Sequence, residues 1–126
     1  MLEVESLTTR YGAIAAIREV GLTVRAGEVV CLIGPNGAGK TTLLATVAGL
    51  LKPSSGKISL GDDDITGWAP DRILRSGLAL VPEHRRIFAD LTVNENLLVG
   101  GVTKTAARRI ELRNEVVELF PALSSK

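Results

Sequence analysis

Residues 34–42 are Gly-Pro-Asn-Gly-Ala-Gly-Lys-Thr-Thr, a glycine-rich stretch that ends in a lysine and two threonines. The stretch fits the pattern G-x-x-x-x-G-K-[ST], in which glycines let backbone N–H groups turn inward around phosphate oxygens without a Cβ in the way. Lys40 would add a cation for the outer phosphates, and Thr41 would add a hydroxyl for Mg²⁺. The predicted phosphate-binding residues are Asn36, Gly37, Ala38, Gly39, Lys40, Thr41 and Thr42.

The residues on either side of this loop predict a strand before it and a helix after it. Residues 29–33, Val-Val-Cys-Leu-Ile, are apolar throughout, as in strands that are covered on both faces. Cys31 is therefore expected to be an inert core residue. Apolar residues recur at helical spacing from Leu43 to Leu51, and Pro53 would stop the helix. This context favours phosphate binding over the plainer alternative, a glycine turn with a solvated lysine.

The remaining sequence predicts a small, partly antiparallel sheet and several short helices. Val20, Leu22 and Val24 alternate with polar or small residues, which is the period of a half-buried strand. The pattern then predicts a strand over 57–60, an acidic turn over 62–64, a brief helix over 71–75 and a second buried strand over 78–81.

Two helices are predicted near the end of the sequence. Thr92 and Glu95 have the spacing of a capping box ahead of a helix over 93–99. A last helix over 105–120 would place Leu112, Val116, Leu119 and Phe120 on one apolar face. The order of elements indicates an α/β fold.

Composition narrows the functional classes. The chain has 126 residues, of which 45% are hydrophobic, so it is long enough for one domain or part of one. Its net charge of +1 offers no field that would attract nucleic acid. Cys31 is the only cysteine, and no leader or apolar stretch of membrane-spanning length is present in the sequence. We expect a cytoplasmic protein whose membrane role, if it has one, comes through partner subunits.

The loop and its surroundings resemble the ATP-binding-cassette (ABC) proteins. Residues 34–42 resemble the Walker A motif of that family, and Tyr11 stands where the family has an aromatic residue that stacks on adenine. Residues 80–88, Leu-Val-Pro-Glu-His-Arg-Arg-Ile-Phe, and residues 91–97, Leu-Thr-Val-Asn-Glu-Asn-Leu, resemble the Q-loop region. The segment is closest to the ATPases of branched-chain amino-acid importers, which commonly have Val-Pro-Glu. The resemblance covers residues 2 to about 121.

The resemblance implies a P-loop NTPase fold of the ABC type, with an antiparallel β subdomain, the start of the core sheet and part of the helical subdomain. It implies that the chain binds ATP and Mg²⁺ to power uptake of a small solute, branched-chain amino acids by the closest match. The implied partners are a second ABC ATPase subunit and integral membrane permease subunits at the inner face of the cell membrane. Nucleic acid is not among them.

The resemblance also assigns roles to individual residues. Lys40 and Glu83 would be catalytic, and Thr41 and Glu83 would hold Mg²⁺. Tyr11 would bind the adenine, or would be an ordinary amphipathic residue at a strand end. Residues 83–86 could instead be a solvated charged turn. His84 stands where the family has glycine, which puts the local loop shape in question.

The family's signature motif, Walker B aspartate, catalytic glutamate and switch histidine do not occur in residues 1–126. We therefore expect the N-terminal part of an ABC nucleotide-binding domain, with slow hydrolysis and poor solubility as a lone monomer. Two alternatives stay open: a non-catalytic nucleotide-binding or assembly fragment, and a soluble ABC ATPase that is not linked to transport. The importer-like segment over residues 80–97 weakens the second.

Overall fold

The structure is a computed structural model that describes residues 1–83 and 86–125. Its elements fall into two compact units, Met1–Leu80 and Val81–Lys126, which we call the sheet unit and the helical unit. His84, where the sequence departs from the family pattern, lies outside the described residues.

The sheet unit contains a four-stranded antiparallel sheet. Its strands are β1 (Leu2–Tyr11), β2 (Ile14–Val24), β3 (Ser55–Leu60) and β4 (Asp63–Asp64), in the order β2-β1-β3-β4. The turn between β1 and β2 contains Gly12, whose φ of +59° suits glycine. The predicted antiparallel sheet is confirmed. The predicted acidic turn is shorter than expected, since Asp63 and Asp64 pair with the end of β3.

Two helices belong to the sheet unit, α1 (Lys40–Val47) and α2 (Pro70–Arg75). The helix predicted after the loop is present, but it ends six residues before Pro53. Gly49 adopts a φ of +77°, its N–H donates to the Thr46 carbonyl, and the Leu50 N–H donates to the Ala45 carbonyl. These two bonds form a Schellman motif, which ends the helix before proline is reached.

The core of the sheet unit lies between one face of the sheet and α1, with α2 beside it. Apolar side chains from β1, β2, β3, both helices and residue 65 are buried there: Val4, Leu7, Ile17, Leu43, Val47, Ile58, Ile65 and Ile73. The buried residues of β1 are Val4, Leu7 and Thr9, and an irregularity in the strand pairing between Val4 and Leu7 interrupts the usual alternation. The core therefore fixes α1, and the loop that precedes it, against β1 and β2.

The two predicted buried strands over 29–33 and 78–81 are wrong for this structure. Neither segment belongs to the described sheet, and Val29, Ile33 and Val81 are 96%, 91% and 89% exposed. Cys31 is also exposed rather than a core residue. A strand is completed by hydrogen bonds to a neighbouring strand, and no described segment pairs with these residues. The predicted start of the core sheet is consequently not formed.

The helical unit contains α3 (Val93–Gly100), α4 (Ala106–Leu119) and a short 3₁₀ helix (Pro121–Ser125). Both predicted helices are confirmed within about a residue at each end. The predicted apolar face of α4 is only partly covered, because Leu112 and Val116 are half-buried while Leu119 and Phe120 are 74% and 60% exposed. No residue of α3 or α4 is fully buried.

The predicted capping box at the start of α3 is confirmed. The Glu95 N–H donates to Thr92 Oγ1 over 3.2 Å, and the Thr92 N–H donates to Glu95 Oε2 over 2.8 Å. The Thr92 hydroxyl also donates to Glu95 Oε2 over 2.7 Å. Hydrogen bonds from the Thr92 hydroxyl and then from its backbone N–H lower the pKa of the Glu95 carboxyl.

This lowered pKa predicts that α3 is less stable in acid. The carboxylate stabilises the folded helix fully above the ordinary glutamate pKa, and this contribution is lost as the pH falls through the lower folded pKa. Glu95→Gln should remove most of that pH dependence, because the amide keeps an acceptor oxygen and does not titrate. NMR signals of the α3 amides followed from pH 7 into acid would measure the effect, with Glu118→Gln on α4 as the control. Equal acid sensitivity of wild type and Glu95→Gln would contradict the prediction.

Candidate phosphate-binding site

The loop before α1 turns through two glycines with left-handed backbone. Gly37 has a φ of +83° and Gly39 a φ of +88°, a region that side-chain-bearing residues rarely adopt. The Ala38 N–H donates to the Pro35 carbonyl over 3.2 Å and closes a turn between them. Residues 35–39 are therefore a turn that is neither extended nor helical.

Gly39 also packs directly against β2. A Cβ added at Gly39 would lie 2.5 Å from Ile17 Cγ2 and 2.8 Å from the Ala16 carbonyl oxygen. Ile17 is itself a core residue, only 6% exposed. The sheet therefore fixes the position of the loop, and only glycine fits at this contact.

The N-terminus of α1 can accept an anion. Gly39 is the N-cap and contributes no side-chain hydrogen bond, and the first turn contains no acidic residue. The first turn of a helix presents backbone N–H groups and the positive end of the helix dipole. These features fit a phosphate group, which prefers such helix ends.

Lys40 lies across the loop. Its Nζ donates to the Gly34 carbonyl over 2.7 Å and to the Pro35 carbonyl over 2.8 Å. An ammonium group has three protons, so one remains for a phosphate oxygen while two hold the lysine in place. The ammonium of this half-buried residue is thus oriented by the loop itself.

The other predicted site residues lie at different places in the fold. Thr41 and Thr42 are in the first turn of α1, at the end of the predicted phosphate-binding stretch that begins at Asn36. Tyr11 ends β1, opposite Ile14 at the tip of the β1–β2 hairpin, and its side chain is 55% exposed. Glu83 is an exposed residue of the helical unit, and its role stays a prediction from the resemblance.

Sequence reasoning missed a buried polar pair next to this loop. Thr9 and Thr46 are 1% and 2% exposed, and their hydroxyl oxygens are 3.0 Å apart. A signal was present in the sequence, because Thr9 shares the core-facing period of β1 with Leu7, and Thr46 lies between core positions of α1. Threonine in such a position needs a hydrogen-bond partner.

The nature of the donors limits what the site can hold. Among residues 1–83 and 86–125, no group of three or more His, Cys, Asp or Glu side chains could hold a metal ion. The loop offers instead backbone N–H groups, an ammonium and threonine hydroxyls, which suit a polyphosphate. A magnesium ion here would take most of its ligands from phosphates and water.

Comparison with known proteins agrees with this geometry. The ABC transporter family matches residues 17–124 of the sequence. The chain belongs to the ABC transporter family. The ABC protein BraG of Pseudomonas aeruginosa, a high-affinity branched-chain amino acid transport ATP-binding protein, is 42% identical over 127 residues, which span 100% of this chain and 54% of BraG. LivG of Salmonella typhimurium, whose name describes the same role, is 42% identical over 79% of this chain and 39% of its own length.

Solved ABC structures share the fold. The ATP-binding cassette of an ABC transporter, solved from a twinned crystal, has a TM-score of 0.76 and 26% identity over 99% of this chain and 55% of its own. An ATP-binding subunit of an ABC transporter has a TM-score of 0.74 and 33% identity over 85% of this chain and 45% of its own. The predicted ABC-type α/β fold with an antiparallel sheet is confirmed, apart from the start of the core sheet. The chain spans about half the length of the relatives that it matches.

Two general properties follow for this ABC chain. The ABC transporter family is one of nucleotide-binding ATPases. The assignment of residues 34–42 as the Walker A loop stays a prediction from the resemblance. Within the part of the chain that the structure describes, no helix has the length and apolar content needed to cross a bilayer.

Proposed function

We propose that this chain supplies the Mg-ATP-binding loop of an ABC importer ATPase that powers uptake of branched-chain amino acids. The observation that carries the proposal is the loop of residues 34–42, with its two left-handed glycines, its uncapped helix N-terminus and Lys40 held by loop carbonyls. The importer type is supported by the likeness to BraG and LivG over most or all of the chain.

In this proposal each predicted residue has a separate task. Backbone N–H groups of residues 36–42 hold the phosphates, and the Lys40 ammonium neutralises charge on the outer ones. Thr41 gives a hydroxyl to Mg²⁺, which supplies charge neutralisation for phosphoryl transfer. Tyr11 stacks on the adenine. Glu83 is proposed as a catalytic residue and oxygen ligand of the metal, on the resemblance alone.

The proposed partners are a second ABC ATPase subunit and the permease subunits of the importer. Through the permease the chain would lie at the cytoplasmic face of the cell membrane. BraG and LivG are both described as transport ATP-binding proteins, which supports this assignment. The solute would be selected by other subunits.

Calorimetric titration of the purified chain tests the proposed function. Charge attraction at the phosphates, about 4 kcal/mol for one pair at roughly 4 Å near a surface, exceeds the roughly 1 to 3 kcal/mol of base stacking. Mg-ATP and Mg-tripolyphosphate should therefore bind, and AMP should bind at least about tenfold more weakly than ATP. AMP and ATP binding with equal affinity, or no binding of ATP, would overturn the proposal.

Transport needs a separate experiment, because a soluble ABC ATPase would bind ATP equally well. The chain would be co-expressed with the permease subunits of a branched-chain amino-acid importer, and association would be measured in detergent. Retention of the chain on tagged permease supports the importer, whereas ATP binding without retention supports the ATPase that is not linked to transport.

A further inference from the structure

Thr9 and Thr46 join the sheet to the phosphate-binding helix inside the core of the sheet unit. Thr9 is on β1 and Thr46 is on α1, and both side chains are almost fully buried. Their hydroxyl oxygens are 3.0 Å apart, a normal hydrogen-bond distance. Around them the core is apolar, so a misplaced hydroxyl would lose its partner without gaining water.

The direction of this hydrogen bond follows from the proton count. The Thr46 hydroxyl donates to the Thr42 carbonyl one helical turn earlier, over 2.7 Å. A hydroxyl has a single proton, so Thr46 must accept from Thr9. The result is a directed chain from the Thr9 hydroxyl through Thr46 to the backbone of Thr42.

This series of hydrogen bonds connects two parts of the proposed nucleotide site. Thr42 is the last residue of the phosphate loop, and Tyr11 lies two residues beyond Thr9, about 7 Å along the strand at the usual rise. A second link runs parallel to it, because Thr9 is paired with Ile17 across the sheet and Ile17 packs against Gly39. The strand that ends in Tyr11 is thus tied to both ends of the Gly39–Thr42 turn.

We propose that Thr9 and Thr46 are positioning residues that set the distance between the adenine-stacking tyrosine and the phosphate loop. This inference rests on the proposed ATP binding and adds a determinant of it. One nucleotide must contact Tyr11 and the phosphate loop at the same time. The relative position of β1 and α1 therefore decides whether the free energies of base stacking and of phosphate binding add. Apolar packing is not directional, whereas a hydrogen bond between two buried hydroxyls specifies one relative position.

The test compares ATP with tripolyphosphate, which uses the loop but not Tyr11. Thr9→Val is expected to weaken Mg-ATP binding about three- to tenfold and to leave tripolyphosphate binding within about twofold. Thr9→Ser keeps the hydroxyl and should bind ATP within about twofold of wild type. In a Tyr11→Ala chain, Thr9→Val should have no further effect on ATP affinity, since the stacking that it positions is already absent.

The double variant Thr9→Val, Thr46→Val separates positioning from stability. In Thr9→Val the buried Thr46 oxygen has lost the hydroxyl that donates to it. Replacing both hydroxyls removes this acceptor as well, so resistance to urea should largely return. ATP affinity should stay low, because the directed bond is still missing. Full recovery of ATP affinity in the double variant, or equal losses for ATP and tripolyphosphate in Thr9→Val, would make the pair a structural core contact only and overturn the inference. If the wild-type chain binds ATP no more tightly than tripolyphosphate, the inference alone is overturned. If it binds neither ligand, the proposed function is overturned as well.

Discussion

Replacing Lys40 with alanine is expected to lower the affinity for Mg-ATP by about ten- to a thousandfold. A charge pair at roughly 4 Å near a protein surface is worth about 4 kcal/mol before desolvation and screening, and about 1.4 kcal/mol corresponds to a factor of ten. Lys40 is half-buried and held by the Gly34 and Pro35 carbonyls, so little side-chain entropy is lost when a phosphate binds. The effect should therefore lie well above that of an exposed surface lysine.

Two control variants separate the charge of Lys40 from its hydrogen bonds to the loop. Lys40→Met keeps most of the length but has no donor, and it should behave like alanine. Lys40→Arg keeps the charge and should retain part of the affinity, although the wider guanidinium fits the two carbonyls less well. Calorimetry with ATP, and urea unfolding of each variant, give the two readouts. An alanine variant that binds ATP as tightly as wild type, with unchanged unfolding, would show that the ammonium does not face the phosphates.

The phosphate loop could be predicted because its geometry depends on residues that are next to one another. Left-handed backbone at Gly37 and Gly39 needs glycine, and a helix that begins at Lys40 needs only the apolar spacing that follows. The capping box at Thr92 and Glu95 is local in the same sense. In each case the physical cause lies within a few residues.

The apolar segments over 29–33 and 78–81 show where sequence patterns stop being sufficient. Their composition expresses a preference for burial between layers, but a strand forms only where a neighbour supplies hydrogen bonds. Val29 and Ile33 are almost fully exposed, and neither segment joins the described sheet. Burial depends on distant partners that residue spacing does not encode.

The end of α1 and the Thr9–Thr46 pair were missed for related reasons. The sequence predicts the end of α1 at Pro53 because proline is the stronger signal, yet the helix ends before Gly49, which fits closely against the Trp68 carbonyl and Ile73. A Cβ at Gly49 would lie 2.6 Å from that carbonyl oxygen. Close approaches between distant segments become visible only when the segments have been placed.

Gly39→Ala is expected to destabilise the sheet unit by about 2–5 kcal/mol and to abolish measurable ATP binding. An alanine in left-handed backbone costs roughly 1–2 kcal/mol, and overpacking in a well-packed region adds typically about 1–3 kcal/mol. The added Cβ would meet Ile17 Cγ2 at 2.5 Å and the Ala16 carbonyl oxygen at 2.8 Å. Ile17 can change rotamer, but the carbonyl belongs to β2 and can move only with the sheet.

Gly37→Ala is the matched control, because Gly37 has a φ of +83° but no heavy atom within 4 Å of an added Cβ. It should cost only the backbone strain, about 1–2 kcal/mol, and should weaken ATP binding less. Adding Ile17→Ala to Gly39→Ala relieves the side-chain contact but not the carbonyl contact, so ATP binding should not return. Urea unfolding and calorimetry of the three variants measure both effects. Equal destabilisation by Gly37→Ala and Gly39→Ala would mean that strain alone acts, and that the packing of the loop on β2 does not hold the phosphate site in place.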